Sequence, residues 1–153
     1  QVAAMALAIV ENGETGRKIH LFDSFVGIPK AGPKDNAIRQ LVGGTDGELE
    51  TSGVSVCSAD AVRAHMKELG VPADLLVYHE GWFQDTVPAA EIGPIALLRL
   101  DADLYESTLV CLKHLYPKIV KGGWCIADDY VLDGCREAVN QFLGSSPIYW
   151  VVQ

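Results

Sequence analysis

The feature that most constrains this chain is a recurring unit, a short apolar run that ends on aspartate. Ile19 to Phe22 is followed by Asp23, Ile95 to Leu100 by Asp101, and Trp124 to Ala127 by Asp128 and Asp129. Runs of this length are strand-sized, and the near-continuous hydrophobicity of IALLRL predicts a strand buried on both faces. The strand set reads as Lys18–Phe25, Leu75–His79, Ile95–Leu100, Trp124–Ala127 and Ile148–Val152. Helical patterns lie between them. Residues 2–11 read as a helix. Ser58 is placed to cap a helix over 59–69, with Val62, Met66 and Leu69 on one face and Gly70 and Pro72 ending it. A helix opening at Ser107 or Thr108 carries Leu109, Leu112, Leu115 and Tyr116, with Pro117 near its end. Gly122 and Gly123 turn into the next strand, and Asp133 caps a helix with Cys135, Val139 and Phe142 along one face. Strands alternating with helices predict βαβ units joined by right-handed crossovers, an α/β fold with a mostly parallel sheet.

A length of 153 residues suits one domain. Residues 30–55 are rich in Gly, Pro, Asp and Thr and show no period, which predicts a long loop serving as a mobile lid. Its Gly43-Gly44-Thr45-Asp46-Gly47 tract does not stand between a strand and a helix and reads as flexible loop. The chain contains no run of 18 apolar residues, and its formal net charge of −8 argues against nucleic acid and anionic membrane as partners. The apolar opening QVAAMALAIV lacks the basic flank and cleavage site of a signal peptide. Cys57, Cys111, Cys125 and Cys135 form no C-x-x-C pair and read as reduced thiols of a cytoplasmic protein. His20, His65, His79 and His114 show no metal-ligand spacing.

In an open α/β sheet, ligands bind beyond the carboxyl ends of the strands. Asp23, Asp101, Asp103, Asp128 and Asp129 all fall there and are expected to crowd one sheet edge. Like charges so placed repel and raise one or more pKa values. A hard divalent cation such as Mg²⁺, held by carboxylates and water, relieves the repulsion. The interval from Asp101 to Asp128 is that of one βαβ unit, so the two acid sets can come from neighbouring strands. Against this stands the reading of each aspartate as a turn residue or helix cap; acids repeated on consecutive strands favour a shared site. Asp23 alone is balanced between a solvated turn and a ligand for ribose hydroxyls. Trp82 and Phe83 either wall a pocket or pack in the core.

Longer motifs carry a resemblance. The stretch LLRLDADLYESTLVCLKHLYPKIVKGGWCIADDY, with LFDSFVGIP at 21–29, GWFQDTVP at 81–88 and YVLDGCREAV at 130–139, resembles the macrocin O-methyltransferase family of S-adenosylmethionine-dependent sugar methyltransferases. The similarity runs over residues 17–143. It implies a Rossmann-like class I methyltransferase sheet with helices on both faces, a sugar or glycoside acceptor as in antibiotic tailoring, and Mg²⁺ on Asp101, Asp128 and Asp129. Asp103 resembles the family's general base, with Asp101 as the competing candidate. Asp23 and Ser24 then lie by the ribose of the methyl donor, Gly81 and Trp82 by its adenine, and Tyr105 and Tyr130 by the acceptor sugar. The family's first strand, its glycine-rich donor loop and its last antiparallel strand have no counterpart in these residues. Ala102 stands where glycine is usual between the two acids. Two alternatives therefore stay open: a methyltransferase for another vicinal diol such as a catechol, and a non-catalytic module of the same fold that binds metal or a partner. A homo-oligomer also stays open.

Overall fold

The computed structural model describes residues 1–144. In chain order the elements are α1 (Val2–Glu11), β1 (Ile19–Asp23), α2 (Arg39–Val42), α3 (Ala59–Glu68), β2 (Leu76–Glu80), α4 (Phe83–Ala89), β3 (Ile95–Leu100), α5 (Tyr105–Leu115), β4 (Ile119–Ala127) and α6 (Asp133–Leu143). They divide into two compact units, one of Gln1–Pro29 with Thr51–Ala90 and one of Lys30–Glu50 with Glu91–Gln153. Each unit holds one parallel strand pair: β1 with β2, Asp23 opposite Glu80, and β3 with β4, Leu100 opposite Ala127. The predicted alternation of strands and helices and the parallel pairing are both present. The expected strand Ile148–Val152 lies outside the described residues.

In the first unit, Ala6 of α1 joins Ile19, Val71 and Leu75 in a buried cluster, with Met5, Ile9 and Met66 packed against it. The Ser58 hydroxyl caps α3 as expected, accepting the Ala61 N–H at 3.2 Å and satisfying a donor that the first helical turn leaves unpaired. Met66 reaches the core, but Leu69 is 48% exposed. The chain leaves the helical path at Leu69, which is the C-cap, so the predicted apolar face stops one turn short.

In the second unit, α5 and α6 pack on each other through Tyr105, Leu109, Ala138 and Phe142. The strand β3 departs from its predicted burial. Leu98 and Leu100 are buried, whereas Leu97 on the opposite face is 42% exposed, and its neighbours Trp124 and Ile126 on β4 are exposed with it. The pair therefore buries one face among the described residues, and α5 is in contact with β3.

Element boundaries shift for identifiable reasons. β4 begins at Ile119 and runs through Gly122 and Gly123, where a turn was expected. A Cβ on Gly123 would come within 2.9 Å of the Ala96 carbonyl, so only glycine lets the two backbones approach there, beside the register irregularity between Ile95 and Leu97. α5 begins at Tyr105, ahead of Ser107 and Thr108, because its cap comes from elsewhere: the Tyr105 N–H donates to Asp35 Oδ1 at 2.7 Å. α6 takes Leu132 as its N-cap, and Asp133 is its first helical residue. The segment 30–55 is more ordered than an aperiodic loop, with the short α2 and the bridges Pro29–Thr51 and Ala31–Gly44. Among the described residues, no helix is long and apolar enough to cross a membrane.

Candidate active site

Parallel pairing continues one step past the ends of β3 and β4. The Asp128 N–H donates to the Leu100 carbonyl at 2.9 Å, which sets Asp128 beside Asp101. Two residues further, Asp103 takes the left-handed conformation, with φ 55°. Asp and Asn tolerate this region better than other side chains with a Cβ. The turn brings the Asp103 N–H to Asp129 Oδ2 at 3.2 Å, joining the two acid-bearing loops. Asp101, Asp103, Asp128 and Asp129 thus form one acidic edge. Asp23 does not share that strand pair; it ends β1 in the first unit.

Burial pushes the Asp103 carboxyl up to about 6, and the charges of Asp129 and Asp101 add to the effect. Asp129 is also raised, by burial first and then by Asp101 and Asp128, against the opposing Asp103 N–H and Arg99. Arg99 answers part of this charge. Its Nη1 pairs with Asp101 Oδ2 at 2.8 Å and its Nη2 with Asp128 Oδ2, so one guanidinium bridges the two strands. Burial works against its positive charge, but the Asp101 hydrogen bond and the charges of Asp101, Asp128 and Asp129 outweigh this and leave its pKa raised. Hard oxygen donors and residual repulsion suit a hard divalent cation in chemistry. Their arrangement differs from the expected cage: among the described residues, no three His, Cys, Asp or Glu side chains form a metal-ready group. Arg99 stands between two of the three expected ligands.

A second buried acid supports this edge. Asp35 is 3% exposed and accepts the N–H groups of Gly32 at 3.1 Å and Tyr105 at 2.7 Å. Burial raises its pKa against those two hydrogen bonds. Gly134 lies so close that an added Cβ would overlap Asp35 Oδ1. The Asp133 carboxylate, expected as a helix cap, instead accepts the N–H groups of Asn36 and Ala37 at 3.1 Å each, as well as that of Gly134 at 2.9 Å. Lys34 pairs with Glu137 at 2.6 Å and lies 3.8 Å over the Tyr105 ring. Residues 32–37 are thereby stitched to the first turns of α5 and α6, directly after the two acid-bearing loops.

Arg99 and Asp35 both escaped the sequence reading. Arg99 had a signal, being the single charge in an otherwise apolar strand. Asp35 had none, since it lies in an aperiodic segment. The Tyr105 hydroxyl donates to Gln141 Oε1 at 2.5 Å and the Tyr130 hydroxyl to Asn140 Oδ1 at 2.7 Å, so both expected acceptor-site tyrosines are oriented by α6.

The expected donor-site residues meet in the first unit, at the carboxyl ends of β1 and β2. Asp23 Oδ1 accepts the Phe25 N–H at 2.7 Å, and the Ser24 hydroxyl donates to the Gly27 carbonyl at 2.7 Å. The Gly81 N–H donates to the Asp23 carbonyl at 2.9 Å. Gly81 has φ 140°, and a Cβ there would come within 3.0 Å of Thr86 Cγ2. Trp82 is the N-cap of α4, and Phe83 its first residue. The four cysteines are unpaired. Burial pushes Cys111 up to about 12 and Cys125 up to about 11, so both remain thiols.

Parallel βα units with acids gathered past the strand ends are common to open α/β folds; the likeness to solved structures shows the class I methyltransferase fold. The solved structure of the O-methyltransferase NovP superposes with a TM-score of 0.78 at 31% identity, over 92% of this chain and 57% of that one. The calicheamicin methyltransferase CalS11 shares the fold, with a TM-score of 0.69 at 23% identity, over 98% of this chain and 63% of that one. Residues 2–149 match the macrocin-O-methyltransferase (TylF) family, and the chain belongs to that family. It is 38% identical over 143 residues to the 8-demethyl-8-(2,3-dimethoxy-alpha-L-rhamnosyl)-tetracenomycin-C 4'-O-methyltransferase of Streptomyces olivaceus, covering 92% of this chain and 52% of the relative. It is 37% identical to the demethyldecarbamoylnovobiocin O-methyltransferase of Streptomyces niveus, covering 82% and 47%, and 33% identical to the mycinamicin III 3''-O-methyltransferase of Micromonospora griseorubida, covering 82% and 49%. The chain spans about half the length of the curated relatives it matches.

Proposed function

We propose that this chain carries the acid edge of a cytoplasmic O-methyltransferase that moves a methyl group from S-adenosylmethionine to a sugar hydroxyl of a glycoside, as in natural-product tailoring. The observation that carries the reading is the acid edge, Asp101 and Asp103 gathered with Asp128 and Asp129 past the ends of β3 and β4 and joined by the Asp103 N–H on Asp129 Oδ2. A sugar hydroxyl is a weak nucleophile at neutral pH. A general base works best when its pKa lies near the operating pH. Burial raises Asp103 towards that range, so it is assigned the hydroxyl proton; Asp101 is the competing base. The oxygen forms its bond to the methyl carbon as the carbon–sulfur bond breaks, and the sulfonium leaves as a neutral thioether. Holding oxygen and methyl within near-attack distance supplies much of the acceleration.

Asp23 and Ser24 are assigned to the ribose of the donor, and Gly81 and Trp82 to its adenine. Tyr105 and Tyr130 border the acceptor. Asp101, Asp128 and Asp129 would hold Mg²⁺, whose charge would lower the pKa of an acceptor hydroxyl. The segment 30–55 serves as a lid that excludes water. Its residues 32–37 are fixed on α5 and α6 and its residues 43–45 are bridged to Ala31, so its motion is assigned to the turn around Gly47.

The test is direct. The protein is titrated with S-adenosylmethionine by calorimetry, then incubated with it and with panels of rhamnosides and catechols. Donor binding with methyl transfer to a sugar is expected. Absence of donor binding, or transfer to catechols alone, refutes the assignment.

A further inference from the structure

We infer that Asp35 is a positioning residue for methyl transfer: its carboxylate fixes the start of α5, and through it the places of Tyr105 and of the turn that carries Asp103. The inference rests on the proposed roles of Asp103 and Tyr105 and deepens that reading. A carboxylate taken out of water is costly unless its oxygens find donors. Asp35 is buried, and its two oxygens serve two different stretches of backbone. Oδ2 accepts the Gly32 N–H of its own turn at 3.1 Å, and Oδ1 accepts the Tyr105 N–H at 2.7 Å. A neutral side chain can cap a helix without the cost of a buried charge. Only a carboxylate, with two acceptor oxygens and no donor, serves both N–H groups at once. The choice of Asp is therefore explained by the joining of two segments, not by starting a helix.

The Asp35 turn is itself braced. Arg39 of α2 donates Nη2 to the Gly32 carbonyl at 2.6 Å, and Asp133 holds the next two N–H groups along the chain. Tyr105 is then held at three points: its N–H by Asp35, its ring under Lys34 and its hydroxyl by Gln141. Only Leu104 separates Tyr105 from Asp103, and the Leu104 N–H turns back to the Ala102 carbonyl at 2.5 Å. Asp103 is tied on its other side by its own N–H to Asp129. The tight turn leaves little slack, so a shift of the α5 start is passed to Asp103 and to the Tyr105 ring together. A misplacement of about 1 Å between reacting groups costs about 10²-fold in rate.

The experiment compares the wild-type protein with Asp35→Ala and Asp35→Asn, the folded fraction of each being set by circular dichroism. Amide exchange is followed by NMR, and methyl transfer from S-adenosylmethionine to a rhamnoside is measured as kcat per folded molecule. In Asp35→Ala the amides of Asp103 and Tyr105 should lose protection by more than that of Leu112, further along α5, whose exchange follows global unfolding. The kcat per folded molecule should fall about 10–100-fold, with KM for S-adenosylmethionine unchanged. Asp35→Asn keeps one acceptor oxygen and should recover part of both effects; if the Ala variant fails to fold, Asn carries the same comparison. Gly134→Ala presses on the same carboxylate from α6, its Cβ falling 1.8 Å from Asp35 Oδ1, and should give the same kinetic pattern. Added to Asp35→Ala, it should cost much less than it does alone, because the carboxylate it meets is gone. A merely structural Asp35 would lower the folded fraction and speed all three amides alike. That result, an unchanged kcat per folded molecule, or full additivity with Gly134→Ala overturns the inference while methyl transfer by the wild type leaves the functional reading standing. Absence of transfer by the wild type overturns both.

Discussion

Replacing Asp103 with Asn should stabilise the protein while abolishing its proposed chemistry. The carboxyl has an ordinary value of 3.8 and is pushed up to about 6 in the folded chain. A carboxyl whose folded pKa is raised binds its proton more tightly in the native state than in the unfolded one. The contribution of Asp103 to stability is therefore fully present below pH 3.8 and is lost as pH rises through 3.8 towards 6, after which the loss is complete. At about 1.36 kcal/mol per pH unit, the gap amounts to about 3 kcal/mol, trimmed to about 2–3 kcal/mol because solvent reaches part of the group. Asn removes the ionisation. It also suits the backbone, since Asn tolerates the left-handed φ of 55° at this position. The backbone N–H that bonds Asp129 is unchanged by the substitution. Urea denaturation of both proteins at half-unit steps from pH 4 to pH 8 measures the difference. Asp103→Asn should gain little at pH 4, gain progressively up to about pH 6, and hold a constant advantage above pH 7. Methyl transfer should fall by about 10²–10⁴ if Asp103 is the base. An advantage that does not change with pH would refute the reasoning, because it would trace the effect to packing or backbone rather than to a buried charge.

Three further outcomes are expected. Asp128→Asn should weaken Mg²⁺ binding sharply in a calorimetric titration while circular dichroism shows the fold intact, since Arg99 retains its bond to Asp101; unchanged affinity would remove Asp128 from the metal assignment. Gly134→Ala should cost about 2–4 kcal/mol in denaturant unfolding, because the new Cβ meets the buried Asp35 carboxylate and forces apart the Tyr105 cap. Ser58→Ala should cost about 1 kcal/mol through the lost cap of α3 and leave Mg²⁺ affinity unchanged, as the same two measurements will show.

Much of the scaffold was legible because its signals are local. Apolar runs mark β1, β2 and β3, and a serine three residues ahead of a free N–H marks the start of α3. Aspartates immediately after apolar runs mark the strand ends where ligands bind, and the long motifs around Asp101 and Asp128 point to the methyltransferase family. The failures share a physical cause. Ser107 and Thr108 are good local caps, yet α5 starts at Tyr105 because a carboxylate 70 residues away accepts its first N–H. Asp133 has the residue type of a cap, yet it binds a loop nearly 100 positions earlier. The apolar run of β3 does not reveal which of its faces a helix will cover.

By itself, the sequence determined which residues could make an acid edge, since strand period and the placement of aspartates are properties of neighbouring residues. Only the tertiary structure decided how those charges are balanced: Arg99 between Asp101 and Asp128, the Asp103 N–H on Asp129, and Asp35 beneath α5. Charge balance depends on distance in space, and these partners come from different strands and loops whose approach no local pattern records.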